Sequence, residues 1–276
     1  MKLTSLCLGL MSGILTGGMI FPANAQVTSD GTTNTLVNQS GNNFNILNGI
    51  EKGNNLFHSF SNFSVPTGAW ATFDLINTPN ITTIFSRVTG GNISNIDGLI
   101  RTLNGNHPAS LFLMNPNGIM FGENAKLDIG GSFVGTTANS IKFADGAEFS
   151  ATNTNATPLL TMSVPVGLQM GSNAGAIAVQ NSGHRITSRF FAPADRSQNP
   201  IGLQVGAGNT LALIGSGVNF FGGVASTDGG GHLEVGSVSD GLVKLNSTTA
   251  GLVGDYSTDI SENCQTPTMN TFWKAI

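Results

Sequence analysis

The chain has little charge and few of the long charged side chains typical of surface helices. Only 9% of its 276 residues are charged, with 11 Lys and Arg against 15 Asp and Glu, and the positive charges form no cluster. A nucleic-acid-binding surface needs concentrated positive charge, so we expect no nucleic-acid partner. The scarcity of Lys, Glu and Arg also argues against a helical bundle.

Small polar residues are abundant instead. Gly, Asn, Thr and Ser make up 120 of the 276 residues. Gly and Asn adopt positive φ in turns, and Thr is well suited to a pleated surface. Because 39% of the residues are hydrophobic and the net charge is only −4, the chain has enough apolar surface to fold. The composition predicts many short strands joined by turns.

The amino terminus has the pattern of a cleavable export signal, predicted to span residues 1–25. A positive start is followed by an apolar stretch, Leu6–Phe21, and then by the small residues Ala23 and Ala25 directly before Gln26. We therefore expect export by the Sec machinery and a mature amino terminus at Gln26. An uncleaved membrane helix is the weaker alternative, because glycines interrupt an apolar run shorter than the ~20 residues that a span needs.

Cysteine is nearly absent. Removal of the signal would take away Cys7 and leave Cys264 alone, so the mature chain could form no internal disulfide. It would have to be held together by burial and backbone hydrogen bonds. The lack of disulfides would also suit a chain that crosses a second membrane while unfolded.

Short apolar alternations recur from Gln26 onwards, each ending at Gly, Asn or Asp, and no stretch carries a helical stripe. Strands this short and regular are typical of a solenoid, a sandwich or a barrel. The predicted strands are Ala71–Leu75, Ile84–Val88, Leu111–Leu113, Ile119–Phe121, Leu127–Ile129, Ile141–Phe143, Leu211–Leu213 and Leu233–Val235.

An offset of 22 residues favours the solenoid. Sliding 110–127 onto 132–149 aligns similar residues, and the same offset recurs near residue 211. The aligned pairs are Ser110–Ser132, Leu111–Phe133, Asn117–Asn139, Ile119–Ile141, Phe121–Phe143, Ala125–Ala147, Leu127–Phe149, Leu211–Leu233, Leu213–Val235 and Phe220–Leu242. This spacing fits one coil of a parallel β-helix and predicts that the rings of Phe121 and Phe143 touch inside the tube. The pair Leu113–Gly135 interrupts the pattern, and no register can be followed between about Asn153 and Asn199.

The predicted fold is all-β: a right-handed parallel β-helix, a single-stranded solenoid with an amino-terminal cap and extra-helical loops or hairpins. This domain is expected to span 26–257, followed by an irregular tail, 258–276. Gln180–Pro200, which holds several charged residues and prolines, is expected to be an exposed excursion. Thr152–Thr157 is expected to be a polar loop.

One block carries a family resemblance. Asn115, Pro116, Asn117, Gly118 and Ile119 form an Asn-Pro-Asn-Gly-Ile sequence within 111–134. This stretch closely resembles the signature of the filamentous haemagglutinin amino-terminal domain, the secretion domain of two-partner secretion exoproteins, and is most similar to the cyanobacterial branch. From the residues alone the block is a turn, because Pro fixes φ and Asn and Gly adopt left-handed geometry.

The resemblance, which covers roughly Asp30–Leu252, implies a function. It implies a secreted or cell-surface protein that passes through the periplasm. A cognate outer-membrane β-barrel transporter with periplasmic recognition domains would recognise the unfolded chain, and Asn115–Ile119 would be a secretion motif. A cell-surface or glycan ligand is left open. The family's other motif, Asn-Pro-Asn-Leu, has no exact copy here; Thr78–Ile81 is at best a relic of it, which puts that motif's role in doubt.

Two other classes are weighed against this interpretation. A polysaccharide-acting β-helix enzyme would need clustered carboxylates and a base, and an ice-binding solenoid would need threonines ranked at the coil spacing. Neither pattern is present, and we predict no enzyme, no cofactor and no metal site. The candidates considered and set aside are Asp128, Asp145, Glu148, Asp228 and Asp240, His58, His107, His184 and His232, Ser12 and Ser216, and Gly229–Gly231.

Overall fold

Short strands make up the regular structure of the computed structural model, which describes residues 26–105, 108–153, 160–183, 185, 198, 200–249 and 251–257. Within these ranges there are 24 strands and no helix. The strands are β1 Val27–Ser29, β2 Thr35–Ser40, β3 Asn43–Asn48, β4 Ile50–Lys52, β5 Asn55–Phe63, β6 Trp70–Asp74, β7 Thr83–Val88, β8 Ser94–Ile96, β9 Leu99–Leu103, β10 Ser110–Met114, β11 Ile119–Phe121, β12 Lys126–Asp128, β13 Phe133–Thr136, β14 Ser140–Phe143, β15 Glu148–Ser150, β16 Pro165–Met170, β17 Ile177–Gln180, β18 Leu203–Val205, β19 Thr210–Gly215, β20 Val218–Phe221, β21 Ala225–Thr227, β22 His232–Ser237, β23 Gly241–Thr248 and β24 Gly251–Asp255.

Parallel pairing winds the chain into coils. The first face is a long sheet in which β5, β7, β10, β13, β19 and β22 pair in parallel, in that order. The second face is the parallel sheet β8, β11, β17 and β20. The third contains β3, β6, β9 and β12, and β18 and β21 form a further short parallel pair. One coil therefore runs, for example, through β10, β11 and β12. The predicted parallel β-helix is confirmed.

Inward-facing side chains of the long sheet form an apolar ladder inside the tube. The registers stack Leu56, Ile84, Leu111, Phe133 and Leu211 on one another, and all five are fully buried. Apolar residues of the other two faces complete this core, among them Phe73, Ile100, Phe121 and Ile177. Like-on-like stacking removes apolar surface from water in every coil, which is the main force holding such a solenoid together.

A second core lies on the outer face of the same long sheet. The residues between the inward ones, Phe57, Phe85, Phe112, Val134 and Ala212, form a second ladder. An antiparallel sheet of β15, β14, β16, β23 and β24 covers them. Its buried residues are Ile141, Phe143, Phe149, Leu168, Met170, Val243 and Leu245. The long sheet is thus buried on both faces, which explains continuous apolar runs such as 111–114.

The amino-terminal end is covered by antiparallel strands. β1 pairs with the end of β5, and the hairpin of β2 and β3 is joined to the third face by parallel pairing of β3 with β6. The predicted cap and the predicted extra-helical hairpins are therefore present.

The 22-residue register is right at two steps of the helix and wrong elsewhere. Leu111 pairs with Phe133, and Leu211 and Leu213 pair with Leu233 and Val235. Gly135, which interrupts the sequence pattern, nevertheless lies in register with Leu113.

The pairs beyond β13 are corrected by the structure. Ile119 pairs with Ile177 instead of Ile141, and Phe220 lies beside Val179 instead of Leu242. Phe121 and Phe143 belong to different cores on opposite faces of the long sheet. Ala147 and Phe149 also belong to the outer core, and so do not stack on Ala125 and Leu127. The cause is that 137–176 leaves the coil to form β14, β15 and β16, so Ile177 stacks on Ile119 at an offset of 58 residues. Leu242 likewise lies on β23 of the outer sheet.

Several sequence predictions fall outside the described residues. These are the signal at 1–25, the tail at 258–276, most of the Gln180–Pro200 excursion and most of the Thr152–Thr157 loop. Within the described part of the chain, no helix is long and apolar enough to cross a membrane.

Candidate functional site: the corner at Asn115 to Ile119

The Asn-Pro-Asn-Gly block forms the corner between the first and second faces of the third coil. β10 ends at Met114 and β11 begins at Ile119. The Gly118 amide donates to the Asn115 carbonyl at 3.1 Å, which closes a four-residue turn. Gly118 has φ of 122°, a conformation that residues with a Cβ rarely adopt. The structure therefore has a turn where the residue types predict one.

The Asn115 side chain joins this corner to the coil before it. Its Nδ2 donates to the Asn92 carbonyl at 3.0 Å and to Ser94 Oγ at 2.9 Å. Its Oδ1 accepts the Asn117 amide at 3.0 Å. Asn115 is fully buried. These bonds replace the hydrogen bonds to water that its side chain loses, and an amide without them would be costly to bury.

Asn117 makes a second link to the same coil. Its Nδ2 donates to the Gly90 carbonyl at 2.6 Å and to Asn115 Oδ1 at 3.1 Å. The Ser94 amide also donates to the Gly118 carbonyl at 3.0 Å. Both asparagines of the block thus bind the corner below by side-chain hydrogen bonds.

Backbone groups of the block bind the coil that follows. The Asn115 amide donates to Thr136, the Ile119 amide donates to Ala176, and the Gly175 amide donates to Pro116 at 2.7 Å. An added Cβ at Gly175 would lie 2.2 Å from the Asn117 carbonyl oxygen. The corner therefore joins three successive coils, and its tight packing leaves no space for a side chain at Gly175.

Burial decides when this block is accessible. Asn115, Pro116, Gly118 and Ile119 are buried in the folded protein, and Asn117 is the exposed member. A protein that recognises the block by its side chains must therefore meet the chain before this coil closes.

A buried cationic cluster, which the sequence analysis missed, ties the cap to the outer sheet. The Arg87 guanidinium donates to Ser59 Oγ at 2.7 Å, to Thr32 Oγ1 at 3.1 Å and to the Ser150 carbonyl, and lies 4.6 Å from the Phe149 ring centroid. Burial lowers its pKa, which the charge of Asp30 opposes.

Asp30 completes this cluster from the cap. Burial opposes its ionisation, but hydrogen bonds from Ser59, Thr32 and Thr89 outweigh burial and hold its pKa below the usual range. No signal in the sequence distinguishes Arg87 or Asp30 from exposed charges, because their partners lie far away along the chain. Because hydrogen bonds within the protein satisfy both charged groups, the cluster has a stabilising arrangement.

His58 lies inside the tube, where the sequence would not place an ionisable side chain. It is fully buried, its Nδ1 is 3.0 Å from Thr35 Oγ1, and its ring packs edge-on against Phe73. Burial lowers the pKa of His58 to about 3. The imidazole is therefore neutral at physiological pH.

The remaining candidates are not brought together. Glu148 pairs with Lys142 at 2.5 Å and Asp145 accepts a bond from Thr161, both on the outer sheet, whereas Asp128 lies on β12. His232 binds Glu234, and Ser216 Oγ donates to the Gly175 carbonyl. Asp228 follows β21, Asp240 precedes β23, and Gly229–Gly231 form the turn between β21 and β22.

Two further candidates, His107 and His184, lie outside the described residues, as does Ser12. Among the residues described, no three His, Cys, Asp or Glu side chains form a group that could hold a metal ion. In the parallel registers of the described strands, no threonine lies over another threonine, so the arrangement required for the ice-binding alternative is not seen.

Comparison with known proteins gives a family and similar solved structures. The family described as "TPS secretion domain" matches residues 25–272. Among solved structures, the chain is similar to the HMW1 secretion domain from Haemophilus influenzae, with a TM-score of 0.53 at 20% identity over 84% of this chain and 48% of that chain. A filamentous hemagglutinin secretion domain gives a TM-score of 0.40 at 15% identity, over 76% of this chain and 99% of that chain.

The likeness to the HMW1 domain shows a shared fold, and the chain spans about half the length of that structure. Among curated proteins, no sequence matches the chain.

Proposed function

Because the chain belongs to the family of TPS secretion domains, we propose that it is the exported member of a two-partner secretion pair. Its partner is a cognate outer-membrane β-barrel transporter whose periplasmic domains recognise the unfolded chain at Asn115–Ile119. The product is secreted or displayed at the cell surface. The observation that carries the proposal is the complete Asn-Pro-Asn-Gly-Ile block inside a domain of this family.

The proposed route has two steps. The Sec machinery exports the precursor, directed by the signal at 1–25, and cleavage after Ala25 releases a chain that starts at Gln26. The unfolded chain then reaches the transporter from the periplasm. An extended segment with alternating apolar side chains can add as a strand to an exposed sheet edge, which is a physical mode for such recognition.

The burial of the corner supports recognition before folding. Four of the five residues of the block, Asn115 among them, are inaccessible once the third coil is covered. Asn115 would therefore serve first as a recognition element and then, with Asn117, as a link between coils. Each coil contacts mainly its neighbours, so coils can form in sequence as the chain emerges. Folding outside the cell then opposes return of the chain through the barrel, and this requires no nucleotide.

The test is to replace Asn115 and Asn117 with Ala and to coexpress the chain with its cognate outer-membrane barrel. We expect lower export of the double variant. We also expect weaker binding of the urea-unfolded chain to the isolated periplasmic domains of the barrel, because the proposed recognition depends on the side chains of Asn115 and Asn117.

Ser94→Ala is the matched control. This substitution removes the Asn115–Ser94 hydrogen bond by deleting its acceptor, Ser94 Oγ. It therefore weakens the folded corner while leaving the Asn115–Ile119 block intact. Binding of the unfolded Ser94→Ala chain should equal that of the wild type. If both variants bind and are exported like the wild type while folding normally, the recognition role is refuted.

A further inference from the structure

Asn117 and Gly118 form an Asn-Gly pair, which is chemically labile. The sequence has three such pairs, and this one lies inside the Asn115–Ile119 block. Because glycine has no side chain to shield its backbone nitrogen and rotates freely in an unfolded chain, this nitrogen can reach the carboxamide of the asparagine before it. The pair is therefore open to spontaneous deamidation whenever the chain is unfolded.

The reaction needs only the chain and water. The deprotonated backbone nitrogen of Gly118 attacks Cγ of Asn117, and the new N–Cγ bond closes a cyclic imide. The Cγ–Nδ2 bond breaks, and the amide group leaves as ammonia after it takes up the proton that the Gly118 nitrogen has lost. Water then opens the imide at either carbonyl, which gives aspartate or isoaspartate.

The folded corner holds the backbone in a conformation that does not allow this attack. Asn117 is the third residue of the turn closed by the hydrogen bond from the Gly118 amide to the Asn115 carbonyl, and ψ of the third residue in such a turn is about 0°. Closure of the imide instead aligns the Gly118 nitrogen with Cβ of Asn117, which requires ψ far from this value. The peptide unit between the two residues must therefore rotate, and the turn must open.

The next coil prevents this rotation. A Cβ added at Gly175 would lie 2.2 Å from the Asn117 carbonyl oxygen and 2.6 Å from the Gly118 nitrogen, so the peptide unit that must rotate packs directly on Gly175. A group packed this closely has no room to turn while its neighbour stays in place.

The leaving group is held as well. Asn117 Nδ2 donates to the Gly90 carbonyl at 2.6 Å and to Asn115 Oδ1 at 3.1 Å. Both bonds must break before ammonia leaves. In the folded protein the reaction therefore proceeds only through local opening of the corner, and its rate is reduced to the fraction of time that the corner is open.

Neither product fits the closed corner. Aspartate has no donor for the Gly90 carbonyl and Asn115 Oδ1, and its carboxylate is repelled by both oxygens. Isoaspartate adds a methylene to the backbone of a turn that is packed against Gly175. Both products thus remove links between the third coil and its neighbours.

We propose that Asn117 is a deamidation site of the unfolded chain, that closure of the corner stops the reaction, and that a modified chain does not close the corner normally. The extent of modification then depends on how long the block stays unfolded. Because the reaction needs only the chain and water, it is independent of recognition by a transporter.

The test follows modification of Asn117 in the mature chain, 26–276, kept folded or unfolded in guanidinium chloride in the same mildly alkaline buffer. Trypsin releases 102–126 as one peptide, which also contains the pair Asn104–Gly105. Fragmentation in a mass spectrometer assigns the amide-to-acid mass change to one asparagine. We expect Asn117 to react at least about tenfold more slowly in the folded protein. Equal rates in the two states would overturn the proposal, as would an unfolded chain that reacts at Asn104 and not at Asn117.

Gly175→Ala tests the source of the protection. Its methyl would push against the peptide unit between Asn117 and Gly118, so we expect modification of the folded variant to be at least about threefold faster than that of the wild type. Gly91→Ala is the matched control, because a Cβ at Gly91 has no heavy atom within 4 Å, and it should keep the wild-type rate. Equal rates for the two variants would contradict the role of this contact.

Refolding tests the last part of the proposal. A partly modified unfolded chain is diluted out of denaturant, and the folded molecules are isolated by their resistance to brief trypsin treatment. We expect these molecules to contain at most about half the proportion of modified Asn117 found in the whole sample, because the corner is tightly packed. The same proportion in both would show that the modified corner closes normally, and this part of the proposal would be wrong.

Discussion

At the residue scale, one imidazole links the stability of the tube to pH. The pKa of His58 is about 3 in the folded protein and near 6.5 in a solvated chain. Between these values the unfolded chain binds a proton that the folded protein does not. The free energy of unfolding is therefore greatest above pH 6.5 and decreases as the pH falls towards 3, by about 1.4 kcal/mol per pH unit.

We expect His58→Gln to remove this dependence. Between pH 7 and pH 5 the wild type should lose about 2 kcal/mol more unfolding free energy than the variant, as measured by urea denaturation at each pH. Asp30 adds little in this interval, because its lowered pKa matters only as the pH falls below the ordinary carboxyl range. Thr35→Val, which leaves the imidazole buried, should keep the wild-type dependence. Identical pH profiles for the wild type and His58→Gln would contradict the assignment.

At the element scale, the corners govern how coils stack. The turn at Asn115–Gly118 binds the coil below through its side chains and the coil above through its backbone. Close contact is possible because Gly175 presents no side chain to the Asn117 carbonyl. A corner of this kind fixes the register of its neighbours, since sliding one coil would break several hydrogen bonds at once.

Gly175→Ala tests this packing. The added methyl would lie within 2.6 Å of three backbone atoms of the turn. We expect a loss of about 1–3 kcal/mol in unfolding free energy, measured by urea denaturation, because backbone in a packed corner cannot move aside freely. At Gly91, a Cβ would have no heavy atom within 4 Å. Gly91→Ala should therefore change stability little, and similar effects of the two variants would show that the corner is not tightly packed.

At the scale of the whole molecule, the long sheet serves two cores. Its inward ladder fills the tube, and its outward ladder packs under the antiparallel sheet. There the Phe85 ring stacks on Phe57, with centroids 5.2 Å apart, and packs edge-on against Phe143, with centroids 5.1 Å apart. Charge contributes little to this cohesion, because Arg87 is the only Lys, Arg, Asp or Glu side chain that is buried among the described residues. The outer sheet is therefore part of the cooperative fold and contributes directly to its stability.

Phe85→Ala should consequently lower the free energy of unfolding as much as a truncation of a side chain inside the tube. We expect a loss of about 3–5 kcal/mol, similar to that for Phe133→Ala, because each leaves a cavity in a fully buried site. Chemical denaturation of both variants measures the comparison. Phe221→Ala, at an exposed site on β20, should have little effect. A small loss for Phe85→Ala beside a large one for Phe133→Ala would mean that the outer core is dispensable.

Local residue chemistry determined the strands, the turn at Asn115 and the parallel stacking near Leu111 and Leu211, because alternation and turn preferences act over a few residues. Tertiary structure alone decided the destination of Ile141, Phe143 and Phe149. Their alternation fits the inside of the tube and the outer sheet equally well, and only the apolar outer ladder of Phe57, Phe85 and Phe112 provides a surface that draws them out of the coil. The burial of His58 and the Arg87 cluster likewise depend on partners that come together only when distant coils and the cap pack.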